Sequence, residues 1–473
     1  MGMSAAFVLS ALVQFLLGLV VAWLLGPAEF GAYALAVAAG ILLQTLCFEW
    51  LRLAATRFFH AGAAGLRRRL VLAFLASMAL ALLLAGLALP LLPGGRPGLA
   101  ALGVGLALGA GFLDLVAAML RARFREADYA RVLLVRNALG ITLVPLAAGL
   151  GGTAEAAASA LLASLLVAAI AAWRLEAVRF QPEEAVEPAP PLPSLFAMAG
   201  YSGPVVVTNL LYLALFFGLR SWAALTGGLA LAGQVSLALD FVLKLFTTFG
   251  SALDLWLFQR AVQSSRESGS EAGQAQLGRN QEMVLSLLLA MALGLLLVID
   301  ALEVLLVRPD FRGLFGHAVM LLTPGIFLYA LIQYAVHPYA QLAERTGTLP
   351  VTALAVVVLA AMGGGVLALW PTGMSGAGIA GIGLVLAGSM AAGLLFLAAR
   401  SPGYQAPSPR FLGRLTVALL AMVLPVALLR QWSGGLPGAF AAMALGAAGF
   451  GMAAWLVDLA GLRQVRLPRR AVS

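Results

Sequence analysis

The sequence predicts an all-α, polytopic membrane protein with about fourteen transmembrane helices, arranged as two six-helix lobes and a C-terminal helix pair. Three observations predict it: composition, the length of the apolar runs, and the placement of basic residues. Of 473 residues, 62% are hydrophobic and 10% charged, and the mean hydropathy is +1.00. Soluble domains carry about 25% charged residues. So few charges cannot cover a water-facing surface, so the apolar side chains must face lipid. Each backbone N–H and C=O inside a bilayer must be paired, which leaves helices or closed barrels. The runs here are continuous, with no alternation at every second residue, and each approaches the roughly 20 residues that cross about 30 Å of hydrocarbon.

The expected spans are 5–25, 31–55, 70–92, 99–120, 132–150, 155–174, 196–219, 228–257, 284–307, 314–337, 349–370, 376–399, 411–430 and 437–459. Glycine and proline clusters punctuate them as loops: GPAEFG at 26–31, PGGRPG at 93–98, GLGGT at 149–153, TGG at 226–228 and WPTGMSG at 370–376. The first run lacks a basic leader and is too long for a signal-peptide core, so it reads as a span.

Basic residues set the orientation. With the N-terminus in the cytoplasm, most of the 29 Lys and Arg fall in cytoplasmic loops, among them Arg67, Arg68, Arg69, Arg121, Arg123, Arg125, Arg131, Arg400 and Arg410. The bias holds along the whole chain, and an even span number puts both termini inside. The expected domains are a lobe at 1–180, a Pro- and acid-rich cytoplasmic linker at 181–195, a second lobe at 196–400, and a helix pair with a basic tail at 401–473. A second polar loop is expected at 263–282. The stretch RARFREADYAR at 121–131 reads as a short inner-face helix that touches anionic lipid or simply fixes topology. The glycines within spans, such as Gly103, Gly105, Gly109 and Gly111, read as close helix packing.

Charges inside the spans are expensive and mark cavities or bundle interiors. Glu49 and Arg52 are spaced to pair on one helix face, as are Asp240 and Lys244. Asp114 and Arg136 sit in the fourth and fifth spans. Asp254 lies near the inner end of the eighth, and Asp300 and Glu303 in the outer half of the ninth. Taken together these groups predict a polar cavity in which Arg52, Arg136, Arg220 and Lys244 meet an anionic head group. Glu49, Asp114 and Asp240 serve there as acidic partners or ion-coupling groups. Arginine suits phosphate through its planar fork. The competing reading is that the spaced pairs only neutralise each other, with Arg220 at the outer mouth.

The lone Cys47 excludes an intramolecular disulfide or a CxxC site and reads as a buried small hydrophobe. His60, His317 and His337 are too scattered for a metal site. GxSxG and P-loop motifs are missing, so the reading assigns no enzyme activity, no cofactor and no metal. The net charge of +9 does not indicate nucleic acid, because the cations lie in short loops between spans.

The segment VVAWLLGPAEFGAYALAVA, 20–38, resembles the opening of the polysaccharide and O-antigen (Wzx-like) flippases of the multidrug/oligosaccharidyl-lipid/polysaccharide (MOP) superfamily. The matching residues are Leu25, Gly26, Pro27, Glu29, Phe30, Gly31, Tyr33 and Ala34, with Trp23 where the family often has arginine. ATRFF around Arg57 and RARFREADYARVLLVRNALG at 121–140 are similar to further family segments. GGLALAGQVSLAL at 227–239 stands where a second GxxxxGxYxxA-like segment is expected, with Gln234 and Ser236 replacing the usual aromatic. LRSWAAL at 219–225 lacks an acid that many members carry there. The resemblance implies two lobes around an alternating central cavity, in a bacterial inner membrane. It also implies an undecaprenyl-pyrophosphate-linked oligosaccharide as substrate, with membrane lipid and other glycan-assembly proteins as partners. The rivals are an ion-coupled small-molecule antiporter of the multidrug branch, a membrane glycan polymerase or ligase, and a non-transporting scaffold for glycan assembly.

Overall fold

The structure is a computed structural model, and it describes residues 3–59, 64–88, 96–178, 194–369, 376–432 and 435–464. Among the described residues the regular structure is helical, with no strand. The helices are α1 (Met3–Phe58), α2 (Ala64–Ala88), α3 (Pro97–Ala122), α4 (Glu126–Gly151), α5 (Ala154–Val178), α6 (Leu195–Ser268), α7 (Ser270–Leu306), α8 (Leu314–Leu331), α9 (His337–Leu342), α10 (Thr348–Leu369), α11 (Gly376–Arg400), α12 (Pro409–Trp432) and α13 (Gly435–Leu456). A π turn, Ile332–Val336, joins α8 to α9.

Among the described residues, twelve helices are long and apolar enough to cross a membrane. Two of them are double-length. α1 contributes 46 candidate residues and α6 contributes 74; at about 1.5 Å per residue each exceeds two crossings of a 30 Å core. Each is broken by one non-helical residue, Gly26 (φ 73°, ψ 174°) and Gly228 (φ 73°, ψ −177°). Counting each arm separately gives the roughly fourteen crossings expected. The turns differ from expectation, because GPAEFG and TGG form kinks of one glycine within continuous helix. A positive φ is open to glycine and strained for other residues, which is why a single residue suffices.

Other expected loops are also shorter. The polar stretch 263–282 is helical apart from Gly269 (φ 89°). RARFREADYAR is no separate helix: α3 ends at Ala122, a turn follows, and α4 begins at Glu126. GLGGT behaves as read, with Gly152 ending α4 in the left-handed region. The linker core, WPTGMSG apart from Gly376, His60 and the basic tail from residue 465 lie outside the described residues.

The chain divides into two compact units. The first comprises residues 1–240 with 349–357, the second 241–348 with 358–473. In the first, α3 lies between α1 and α5. A methyl group placed on Gly103 would lie only 3.0 Å from the Ala36 carbonyl oxygen, so the glycine lets the two backbones approach closely. A run of rings, Phe48–Phe74–Phe112–Trp173, spaced 5.0, 5.3 and 5.6 Å between centroids, ties α1, α2, α3 and α5 together. Cys47 is buried in this core. In the second unit α12 and α13 pair and pack through Phe411, Leu415 and Ala454 onto Leu285 and Leu289 of α7. Many apolar side chains point outward, including Leu83, Leu87, Leu384 and Leu395. Helices that are apolar on every side belong in lipid.

Candidate functional site

The first unit gathers four of the sequence-selected residues. Arg52 Nε donates to Glu49 Oε2 at 2.8 Å, and Arg52 Nη2 to Glu49 Oε1, so the expected i,i+3 pair forms. Asp114 of α3 accepts from Gln44 Nε2 at 3.1 Å. Arg52, Arg136 and Glu49 all lie within electrostatic reach of Asp114. The cluster therefore carries two positive and two negative groups. Arg52 stands six residues before Phe58, Asp114 eight before Ala122, and Arg136 ten after Glu126. At about 1.5 Å per residue, this polar layer lies some 9–15 Å in from the arginine-bearing helix ends. Its accessibility is graded, since the Glu49 side chain is buried while that of Arg52 is 37% exposed. A guanidinium has five N–H donors. Glu49 occupies two, which leaves Arg52 able to meet another anion.

Arg220 and Asp240 form a second pair. Arg220 Nη2 donates to Asp240 Oδ1 at 2.6 Å, and Nη1 to Oδ2 at 3.4 Å. This partner comes from the other arm of α6, not from the i,i+4 spacing. Arg220 is 8% exposed, so it is a buried residue and not a mouth-lining one. Lys244 is half-buried and engaged in interactions of its own. The carboxylate of Asp240 also acts on the hydroxyl of buried Tyr33, the tyrosine of the 20–38 segment.

The two kinked helices meet at a reciprocal contact. A methyl group placed on Gly31 would fall onto the Leu229 carbonyl oxygen; one placed on Gly233 would fall onto the Pro27 carbonyl oxygen. Leu229 follows kink residue Gly228 as Pro27 follows Gly26, and Gly31 and Gly233 each lie five residues past their kink. The 228–240 segment is therefore a geometric repeat of 26–38, although its side chains differ. Glu29, within the first kink, locks its neighbours: it accepts from Arg96 at 2.6 and 2.9 Å and from the Ala154 N–H at 2.8 Å. At the arginine-rich ends, Glu176 accepts from Arg67 at 2.9 and 3.1 Å, while that guanidinium lies 4.5 Å from the Trp173 ring centre. Arg125 and Arg131 flank buried Asp128.

Sequence reasoning gave little weight to a polar group in the second unit. Tyr339 Oη donates to Gln281 Oε1 at 3.0 Å, and Gln281 Nε2 to Tyr404 Oη at 3.2 Å. Asn280 Nδ2 reaches the Leu257 carbonyl at 2.7 Å. A small recess beside this network is lined by Asp254, Asn280, Gln281, Tyr334 and Pro338 among others, with about 10 Å³ of space for the centre of a water-sized occupant. Glu303, by contrast, is structural, its Oε1 capping the Gly313 and Gly316 N–H groups at 2.7 and 2.8 Å. His337 is buried beside the π turn, and no group of three His, Cys, Asp or Glu suited to a metal occurs among the described residues.

No protein-family model and no curated protein matches the sequence. Solved structures do. The lipid II flippase MurJ in an inward closed conformation is similar at 12% identity, covering 98% of this chain and 99% of that chain, with a TM-score of 0.71. An inward-facing multidrug resistance MATE family transporter of the MOP superfamily is similar at 17% identity, covering 83% of this chain and 94% of its own, with a TM-score of 0.58. A MATE protein in complex with Br-NRF is similar at 16% identity, covering 85% and 96%, with a TM-score of 0.51. The chain thus has the all-helical fold of these MOP-superfamily transporters and is a multi-pass membrane protein.

Proposed function

We propose that this protein is a flippase that moves an undecaprenyl-pyrophosphate-linked oligosaccharide across the bacterial inner membrane by alternating access, with both termini cytoplasmic. The observation that carries this reading is end-to-end similarity to a lipid II flippase, over 98% of the chain. The MATE transporter leaves about 17% of the chain unmatched, or about 80 residues. That is about the length of the terminal helix pair with its tail. The difference favours a lipid-linked substrate over the small-molecule antiporter, the second reading.

A diphosphate bearing sugars cannot enter hydrocarbon unaided. In this proposal it is met by the half-buried layer of Arg52 and Arg136, whose charges Glu49 and Asp114 balance while no substrate is bound. Phosphate then takes the N–H groups of Arg52 that Glu49 does not use. Arg220, buried against Asp240, holds the α6 arms together, and Lys244, half-buried further along α6, is proposed as a further cation for the head group. Movement of the head group needs no bond to be made or broken, so no catalytic residue is assigned. Other glycan-assembly proteins are the expected partners.

The test is reconstitution into liposomes carrying a fluorescent undecaprenyl-pyrophosphate oligosaccharide, whose transfer between leaflets is followed with an impermeant quencher. The protein is expected to accelerate transfer, and Arg52→Gln with Arg136→Gln to slow it at least about tenfold, the effect of losing about 1.4 kcal/mol of cation–phosphate interaction. Unchanged transfer in the double variant defeats the arginine assignment. Uptake of organic cations without lipid transfer moves the protein to the antiporter reading.

A further inference from the structure

We propose that Glu29 is a positioning residue for transport: it pins the α1 kink to the ends of α3 and α5, so that α1 stays with them when it parts from α6. The proposal rests on the alternating-access reading and names the device inside the first unit that such a motion uses.

Three chain ends converge on one carboxylate. Arg96 is the residue before α3; its carbonyl is held by the Ala100 N–H at 3.1 Å, and Pro97 fixes the first helical position. Its guanidinium therefore starts from a set place. It gives two N–H groups to Glu29 at 2.6 and 2.9 Å, a forked bond that fixes orientation as well as distance. The same guanidinium lies 3.7 Å from Glu155, in the first turn of α5. The third bond to Glu29 comes from the N–H of Ala154, the first residue of α5, at 2.8 Å. A carboxylate there satisfies an N–H that the helix itself leaves unpaired, and it meets the positive end of the helix dipole. These ends of α3 and α5 are opposite those that carry Arg121 and Arg174.

The α6 side of the same kink is built differently. Backbone meets backbone at Gly31 and Gly233, and Leu35 is buried among Ala223, Ala232 and Val235 of α6. Glycine-lined and alkyl surfaces close by shape, and they separate without leaving a charge or a donor unmatched. Parting Glu29 from its partners strands a carboxylate, a guanidinium and a helix N–H together. Of the two seams that flank the kink, the α6 seam is therefore the one that opens.

The test reads each seam with one cysteine, in a Cys47→Ser background. Purified protein in liposomes is treated with a water-soluble maleimide. Leu35→Cys reports the α6 seam. Ala154→Cys, at a fully buried position that keeps its N–H, reports the Glu29 seam. Leu35→Cys is expected to react at least about tenfold faster than Ala154→Cys, the measure of easier local opening. Adding Glu29→Gln is expected to speed Ala154→Cys at least about tenfold and to change Leu35→Cys by less than about twofold. In the lipid-transfer assay, Glu29→Gln is expected to lower the maximal rate and leave the half-saturating substrate concentration unchanged. Glu29 stands 23 residues before Arg52, about 35 Å along helix, too far to touch a head group bound there. Should Glu29→Gln not fold, Arg96→Gln leaves the Ala154 bond in place and is expected to shift Ala154→Cys in the same direction by less. Equal rates at the two cysteines, a fully protected Leu35→Cys, or an Ala154→Cys rate indifferent to Glu29→Gln overturns the pin. Labelling as expected in a protein that moves no lipid-linked glycan supports the pin and defeats the flippase reading.

Discussion

The two units bury their polar groups in opposite ways. In the first, the buried carboxylates Glu49, Asp128 and Glu176 each face an arginine, Arg52, Arg125 and Arg67 respectively. In the second, the buried polar residues among those described are Asn280, Gln281, Ser286, Thr323, His337, Ser389 and Ser401, all neutral or, for histidine, without an acidic partner. Ion pairs in a low-dielectric interior are strongly directional, and losing one partner strands a charge. Neutral hydrogen bonds are individually weaker and exchange more easily. The first unit is built as a braced block, and the second keeps a π turn, an amide–tyrosine network and a carboxylate without a bracing cation.

The sharpest way to break this contrast is Glu176→Gln. The Glu176 side chain is fully buried and that of Arg67 is 26% exposed. Removing the charge is expected to destabilise the protein by about 3 kcal/mol, the lower end for breaking a buried pair, read from unfolding in a detergent–SDS titration. A loss below about 1 kcal/mol means the pair is no brace. Next comes the glycine crossing. Gly233→Ala is expected to cost about 2 kcal/mol through overpacking, and Gly31→Ala about the same. The double variant should cost less than the sum, since helices already parted accept the second methyl. Gly413→Ala in α12, where an added methyl meets open space, is the control and should be neutral or slightly stabilising. The smallest effect belongs to the second unit: Tyr339→Phe removes one donor to Gln281 and should cost about 1 kcal/mol in the same titration. A loss as large as that of Glu176→Gln erases the distinction between the units.

Much of the fold was legible in the sequence because hydrocarbon imposes a simple rule, and continuous apolar runs of the right length admit little besides helices. The runs around Gly26 and Gly228 were read correctly as ends of spans. That one glycine does the work of a loop was not legible, because composition marks a break without giving its length. The Glu49–Arg52 pair followed from spacing along one helix. The Arg220–Asp240 pair did not, since it depends on how two arms of α6 fold back on each other. Asp114 and Arg136 were selected as charges within spans, and the structure brings them together with Arg52. Asp254 was visible as a charge in a span, but its lack of a bracing arginine is a property of three-dimensional neighbours. The π turn had a signal in Pro338, whose missing N–H disturbs any helix containing it, although the form of that disturbance depends on packing.

The matched kinks amount to one backbone pattern used twice. Gly26 and Gly228 share nearly identical torsions, and the residues one and five positions beyond each exchange contacts as mirror partners, while the side chains between them have diverged. The two segments share backbone geometry without sharing residue identity. Distant relatives are thus better sought by the spacing of a left-handed glycine and a contact glycine five positions later, occurring twice per chain, than by any string of conserved letters.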